Sequence, residues 1–317
     1  QNRTGLIMIL NISVVIPLYN KNYSIVRCLN SVLYQTILPF EIIIVNDGST
    51  DDSLAVLDDY LKTISVCDIN IVVHDQQNQG VSAARNNGIA LAKSNYIALL
   101  DADDEWSPEH IEKMTTLIEK YPRLPVYTCK HEVCETGYSF TPPQIFSSEL
   151  TTMGLIDNYF VRAGKYELVN SSKVVLYKPI FENVGGFPIG AKLCEDLYLW
   201  ARLAEVGHFA FTDYLGVTVH QEKDMSRKAR NYSQPYILEY YFKASGPLNS
   251  ELHGYLWTVY RNHLRLSILN GNLSEFISRW KFCYYHFKPK SYLILLYALV
   301  PKKIMNVFKV IRRLLLR

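Results

Sequence analysis

The chain has 317 residues, 49% hydrophobic and 20% charged, a balance that excludes intrinsic disorder and suits one large domain or a domain with an appendage. Its net charge of +3 hides a division: ten of the 33 Lys and Arg residues, and none of the 30 Asp and Glu residues, lie beyond residue 275. The body is acidic and the tail strongly basic, which points to an anionic surface, phospholipid or nucleic acid, as a partner of the tail.

Met8-Ile9-Leu10-Asn11 runs straight into the first apolar run, so Met8 is the expected native start and no secretory leader is expected. Ile12-Ser13-Val14-Val15-Ile16 reads as a buried strand stopped by Pro17. Ser24 is placed to cap a helix whose apolar positions Ile25, Leu29, Val32 and Leu33 share one face. Glu41-Ile42-Ile43-Ile44-Val45 is nearly all apolar, as expected of a parallel strand covered on both sides. A turn at Asn46-Asp47-Gly48-Ser49-Thr50 leads into a helix through Leu54, Leu57 and Leu61. Ile71-Val72-Val73 is a third strand. Residues 81–92 form a helix rich in Ala and Gly, able to approach a sheet closely. Tyr96-Ile97-Ala98-Leu99-Leu100 is a fourth strand, after which Ser107 and Pro108 are expected to open a helix as cap and first residue. This alternation predicts an α/β fold with a doubly wound, mostly parallel sheet, whose ligands bind beyond the carboxyl ends of the strands. Past about residue 225 strand patterns vanish and Tyr- and Leu-rich helices take over, predicting a domain over residues 1–224 and a helical region over 225–317.

The polar clusters sit at those strand ends. Asp101-Ala102-Asp103-Asp104 places three carboxylates in four residues, which repel one another unless a cation neutralises them. Carboxylate oxygens are hard ligands suited to Mg²⁺ or Mn²⁺, although a solvated acidic loop would look the same. Asp47, at the end of the second strand, can accept from a nucleobase N–H or a ribose hydroxyl, or simply organise a turn. Arg85, within Asn78-Gln79-Gly80-Val81-Ser82-Ala83-Ala84-Arg85-Asn86, can meet a base or phosphate, or be an exposed helical arginine. Glu195 and Asp196 open a helix with an apolar side of Leu199, Trp200 and Leu203, where a carboxylate serves the dipole or acts as a general base. His220 follows the short apolar strand 215–219. Cys129, His131 and Cys134 lack a second pair at zinc-ligand spacing, and the six cysteines show no disulfide framework.

Taken in order, Val15-Ile16-Pro17-Leu18-Tyr19-Asn20, Val45-Asn46-Asp47-Gly48-Ser49-Thr50-Asp51, Asn78-Gln79-Gly80 with Ala84-Arg85-Asn86, Asp101-Ala102-Asp103-Asp104, Gly185-Gly186-Phe187 and Glu195-Asp196 make a set that resembles glycosyltransferase family 2 of the GT-A fold. The resemblance runs over roughly residues 12 to 220. It implies that Pro17 and Tyr19 line a uracil pocket, that Asp47 and Arg85 bind the base, and that Asp101, with Ala102 beside it, meets the ribose. It also implies a Mn²⁺ or Mg²⁺ ion on Asp103, with His220 similar to a late metal ligand, and Asp196 as catalytic base of a single inverting displacement. The implied donor is a UDP-sugar carrying a hexose or N-acetylhexosamine, and the acceptor a glycan or lipid-linked hydroxyl. Lys21 and Asn22 stand where the family often has Glu, which resembles the capsule and lipopolysaccharide branch. A nicotinamide-binding fold is excluded because the turn after the first strand, Pro17-Leu18-Tyr19-Asn20-Lys21-Asn22, has no Gly. A non-catalytic nucleotide-sugar-binding or scaffold protein is the rival reading; loss of Asp103 or Asp196 would mark it, and both are present.

From Pro301 on, Ile304, Val307, Phe308, Ile311, Leu314 and Leu315 recur at helical spacing, opposite Lys302, Lys309 and Arg313. Such a basic amphipathic helix suits an anionic membrane interface rather than nucleic acid, and predicts peripheral attachment to the inner face of the plasma membrane; packing on the body or on a second subunit is the alternative reading. The apolar run 292–300 is too short to span a bilayer.

Overall fold

The computed structural model describes residues 10–64, 69–135, 138–142, 152–221, 234–243, 247–270 and 273–287. The chain divides into two compact units, Gln1–Asp224 and Met225–Arg317. The first unit begins with the expected alternation of β1 (Ile12–Leu18), α1 (Ile25–Leu33), β2 (Glu41–Asp47), α2 (Ser53–Thr63), β3 (Asn70–Gln76), α3 (Val81–Leu91) and β4 (Tyr96–Leu99). It continues through β5 (Glu105–Trp106), α4 (His110–Lys120), β6 (Val126–Glu135), β7 (Tyr138–Phe140), β8 (Met153–Ile156) and α5 (Tyr159–Ala163). A 3-10 turn at Ser171–Lys173 leads into β9 (Val174–Tyr177), α6 (Lys178–Asn183), α7 (Glu195–Val206) and β10 (Phe209–Gln221).

One sheet runs through this unit in the order β3-β2-β1-β4-β9-β6-β10-β5, with β7 paired to β6 and β8 to β10. The strands β3, β2, β1 and β4 are mutually parallel, as their apolar runs predict. Beyond β4 the sheet is mixed: β9 lies antiparallel between β4 and β6, while β6 and β10 are parallel to each other. The strand repeat of two residues gives β1 two different faces. Ile12, Val14, Ile16 and Leu18 join one buried cluster with Ile25 and Leu29 of α1, Leu57 of α2 and Met114 and Leu117 of α4. Burying each such side chain contributes about 1.5–3 kcal/mol. Val15 faces the other way, toward α3, where a Cβ on Gly88 would come within 2.4 Å of Val15 Cγ1 and 3.2 Å of Val45 Cγ2. The small residues of α3 thus let that helix settle directly on β1 and β2.

Two helix starts differ from the sequence expectation. Ser24 occupies the cap position of α1, but its side chain makes no capping hydrogen bond; the turn is closed by the Lys21 carbonyl, which accepts from Ser24 N and Ile25 N. α4 begins at His110 with Glu109 as cap, not at Ser107 and Pro108. Ser107 is tied instead to β10: its N–H donates to Gly216 O at 2.9 Å and its hydroxyl to Leu215 O at 2.9 Å. The expected strand 215–219 is the second half of the longer β10, so His220 lies within a strand.

In the second unit the described residues form α8 (Tyr236–Lys243), α9 (Ser250–Asn270) and α10 (Leu273–His286). Their aromatic side chains supply the packing: Phe287 meets Phe242, Trp257 and Tyr260 at centroid distances of 5.2, 5.2 and 5.7 Å. The basic amphipathic helix expected from Pro301 on lies outside the described residues. Among the described residues no helix is long and apolar enough to cross a membrane.

Candidate active site

The polar clusters converge at the carboxyl ends of β1, β2 and β4. Pro17 does not stop β1, which pairs with β2 through Leu18; Asn20 then turns the chain with a left-handed φ of 53°, a conformation Asn tolerates well. Its side chain stitches the two neighbouring loops: Thr50 N and Asp51 N donate to Asn20 Oδ1 at 2.8 and 3.3 Å, and Asn20 Nδ2 donates to Thr50 Oγ1 at 3.1 Å. Tyr19, immediately before it, is left 44% exposed and free to face a planar ligand.

Asp47 is buried and accepts three hydrogen bonds, from Gln76 Nε2 (2.7 Å), Gln79 N (2.8 Å) and Gly80 N (2.8 Å). It therefore shapes the loop that leads into α3. Gly48 next to it has a φ of 66°, and a Cβ there would lie 2.9 Å from Asn78 N, so the turn requires glycine.

The three carboxylates after β4 do not share one environment. Asp101 Oδ1 takes a 2.7 Å bond from Arg85 Nη2. Asp103 Oδ2 takes a 2.8 Å bond from Lys21 Nζ. Asp104 is buried, accepting from Ser172 Oγ and, at 3.0 Å, from the His220 N–H. Burial pushes Asp104 well above the usual carboxylate range, and the charges of Asp103 and Asp101 add to the shift. The repulsion anticipated from the sequence is thus relieved by two internal cations and one buried carboxyl. For Lys21, burial opposes the charge, but the charge and hydrogen bond of Asp103 prevail and raise its pKa.

Ser172 links this cluster to the centre of the sheet. Its Oγ accepts from Asp101 N at 3.2 Å, and its carbonyl accepts from Trp106 Nε1 at 2.7 Å. The next residue, Lys173, is buried and donates to Glu167 O at 3.0 Å, which anchors the turn; burial lowers Lys173 to about 8. Ala102 is buried among these residues and has no polar side chain to offer a ligand.

Arg85 is not an exposed helical arginine. It is 4% exposed, its guanidinium lies 5.2 Å from the Phe187 ring centre, and Nη1 sits 3.6 Å from Glu195 Oε1. One buried cation thereby ties the Asp101 cluster to the start of α7. Asn86 holds the same region by a reciprocal pair with the Phe187 backbone, Nδ2 donating to O (2.8 Å) and Oδ1 accepting from N (3.0 Å). Asp196, beside Glu195, is raised to about 7 by burial first and then by the Glu195 charge; its Oδ1 accepts from Leu197 N at 2.8 Å. A carboxylate that titrates near neutrality suits a general base.

The chemistry of Asp103 fits a hard divalent cation. Its carboxylate already meets a cation, the Lys21 ammonium, at contact distance. Among the described residues no three His, Cys, Asp or Glu side chains are grouped to hold a metal by themselves, so an ion at Asp103 needs oxygens from a bound ligand and water. His220 is brought to this cluster through its backbone, while its Nε2 faces Glu105 Oε2 at 3.5 Å.

Lys21, Ser172 and Asn86 carry more of this site than the sequence reading assigned to them. In the sequence Lys21 stands out only as a departure from a motif, and Ser172 not at all. Their partners lie 82 and 68 positions away, at Asp103 and Asp104, so no local pattern reveals them.

A family model described as Glycosyl transferase family 2 matches residues 13–170. The chain is 35% identical over 146 residues to the uncharacterised glycosyltransferase EpsJ of Bacillus subtilis, a match covering 46% of this chain and 41% of that protein. It is 28% identical over 207 residues to the chondroitin synthase of Escherichia coli, covering 62% of this chain and 27% of that one. The chain thus spans less than half the length of either relative. Among solved structures it is similar to residues 1–349 of S. aureus TarS in complex with UDP-GlcNAc, with a TM-score of 0.56 at 18% identity, covering 88% of this chain and 73% of that one. At that identity the likeness shows the fold, a mixed α/β sheet of the GT-A type.

Proposed function

The chain belongs to glycosyltransferase family 2, and we propose that it moves one sugar from a UDP-sugar to an acceptor hydroxyl by a single inverting displacement. The observation that carries this reading is Arg85, whose guanidinium joins Asp101 on the donor side to Glu195, the neighbour of Asp196. Nucleotide cluster and candidate base are thereby held as one unit.

In this reading Tyr19 and Pro17 flank the uracil, and Asp47 holds the loop against which the base rests. Arg85 keeps Asp101 oriented toward the ribose. Asp103, with His220 nearby, would hold Mn²⁺ or Mg²⁺, which would supply positive charge to offset that of the departing diphosphate. Asp196 takes the proton of the acceptor hydroxyl, whose oxygen then attacks C1 of the sugar. A positioned general base contributes about 10²–10⁴-fold, and holding the two reactants in line supplies much of the rest.

Relatives that include a chondroitin synthase support a role in surface polysaccharide synthesis, with a glycan or lipid-linked acceptor. The basic tail favours attachment to an anionic cytoplasmic membrane face. Liposome flotation of the full chain, but not of one ending at Leu299, tests that attachment; equal flotation of the two rejects it. The activity itself is tested by donor hydrolysis across a panel of nucleotide sugars with Mn²⁺. UDP-N-acetylhexosamines come first, because a TarS structure holds UDP-GlcNAc. Hydrolysis of one UDP-sugar well above the others supports the reading, and inertness toward the whole panel with and without acceptor glycans counts against it.

A further inference from the structure

We propose that Lys21 is a built-in counter-ion that closes Asp103 to free divalent cations and releases it only to a cation arriving with the donor diphosphate. The inference rests on the nucleotide-sugar reading of the site and adds to it a residue that couples metal to nucleotide.

The geometry is specific. Lys21 Nζ lies 2.8 Å from Asp103 Oδ2, and both side chains are only 19% exposed. Such a pair is less screened by water and salt than a surface ion pair. A divalent cation that takes Asp103 must displace the ammonium, because both need the same carboxylate. Little else repays that displacement in the free protein, since the described residues offer no ready trio of ligating side chains. A free cation therefore gains one carboxylate in exchange for bound water, which Mg²⁺ in particular gives up reluctantly.

The diphosphate changes both halves of the exchange. Its oxygens complete the cation's coordination, and its charge gives the displaced ammonium a new partner. Lys21 is built for such a move. Its backbone is pinned, with its N–H donating to Ser53 Oγ at 2.6 Å and its carbonyl accepting from Ser24 and Ile25. Its ammonium rides on a flexible four-carbon stem. Tyr23 Oη, 3.1 Å from Nζ, accepts a second hydrogen bond from the ammonium without holding it by a full charge. The backbone of Asp103 is fixed independently, by Arg27 Nη2 donating to its carbonyl at 2.8 Å. Releasing Lys21 thus frees a carboxylate that is already in place. Metal and nucleotide must then strengthen each other's binding by the same factor.

The test is Mn²⁺ binding to the full chain, followed by electron paramagnetic resonance of the free ion, with and without UDP. Lys21→Met keeps the stem and removes the charge. It should bind Mn²⁺ without UDP about tenfold more tightly than the native chain, within the usual range of coupling between two ligands. The factor by which UDP then improves Mn²⁺ binding should shrink correspondingly. Lys21→Arg keeps the charge and should behave as the native chain, and Lys21→Gln gives the same readout as Met should the methionine variant not fold. Unchanged or weaker Mn²⁺ binding by the neutral variants, or equal tightening by the arginine variant, overturns the proposal. If UDP enables Mn²⁺ binding by the native chain, but native chain and neutral variants bind Mn²⁺ equally in the absence of UDP, only the counter-ion role fails. If the native chain binds no Mn²⁺ even with UDP, the metal reading of Asp103 fails and this proposal with it.

Discussion

Arg85 Nη2 lies 2.7 Å from Asp101 Oδ1, across 16 residues of sequence, with the guanidinium almost wholly buried. Removing it leaves Asp101 and Glu195 without their shared cation. Breaking a buried pair costs about 3–5 kcal/mol, so Arg85→Met should lose somewhat less, about 2–4 kcal/mol, because the Asp101 side chain is 32% exposed. Urea unfolding measures the loss. Arg85→Lys should recover only part of it, since one ammonium cannot serve both carboxylates as the planar fork does. A loss below about 0.5 kcal/mol, the ordinary range for surface substitutions, would mean that Arg85 is not the tie described here.

Asp104 and Asp103 should respond oppositely to the same change. Asp104 is buried and held well above the usual carboxylate range, and its oxygens serve His220 N and Ser172 Oγ. Asp104→Asn should keep both the fold and Mn²⁺–UDP binding, whereas Asp104→Ala should lose about 1–3 kcal/mol by stranding two buried donors. Asp103→Asn should lose some stability, because it leaves the part-buried Lys21 ammonium without its charge partner, and should weaken Mn²⁺–UDP binding. Calorimetry on the pair of asparagine variants decides this, and equal weakening in both would show that Asp104 too acts as a charge.

Gly88→Ala tests the close approach of α3 to the sheet. On helix propensity alone the change should stabilise by up to about 1 kcal/mol. The added Cβ would lie 2.4 Å from Val15 Cγ1, so a net loss of about 1–3 kcal/mol is expected in a thermal or urea melt. A gain in stability would show that α3 is free to move away from β1.

The parallel half of the fold was legible because its signals are local. Ile42, Ile43 and Ile44 announce a strand covered on both faces, and Gly88 among alanines announces a helix that packs close. The antiparallel insertion of β9 was not legible, because Val174-Val175-Leu176 carries no mark of which strands will flank it. The start of α4 was misjudged for a related reason: Ser107 is a good cap by type, but its hydrogen bonds go to residues 215 and 216, over a hundred positions away. In the site, motif order points to the residues at strand ends but not to their partners. The motif marks Arg85 as a base or phosphate ligand, whereas its position between Asp101 and Glu195 depends on how α3 and α7 meet.

The pH dependence of transfer should follow Asp196. Burial, then the Glu195 charge, raise it from 3.8 to about 7, so the ionised base is lost as pH falls through that value. The turnover rate at saturating donor should rise with unit slope below about pH 7 and level off above it. Glu195→Gln removes one raising cause and should move the acid limb to lower pH. Stability runs the other way, because the folded state favours the protonated form: between about pH 4 and 7 the native chain holds the extra proton, and stability falls as pH rises. Asp196→Asn should therefore be more stable than the native chain at pH 8, by about 1–3 kcal/mol. An acid limb that stays in place in Glu195→Gln would assign the titration to another group.

In the proposed reaction Asp196 is the base, and the donor is bound elsewhere in the site. The most direct measurement compares UDP affinity and single-turnover sugar transfer in the native chain and in Asp196→Asn, which is nearly isosteric and cannot take the proton. UDP affinity should be unchanged and transfer slower by about 10²–10⁴-fold, the scale of a lost general base. Transfer at the native rate would contradict the account, as would a loss confined to UDP binding.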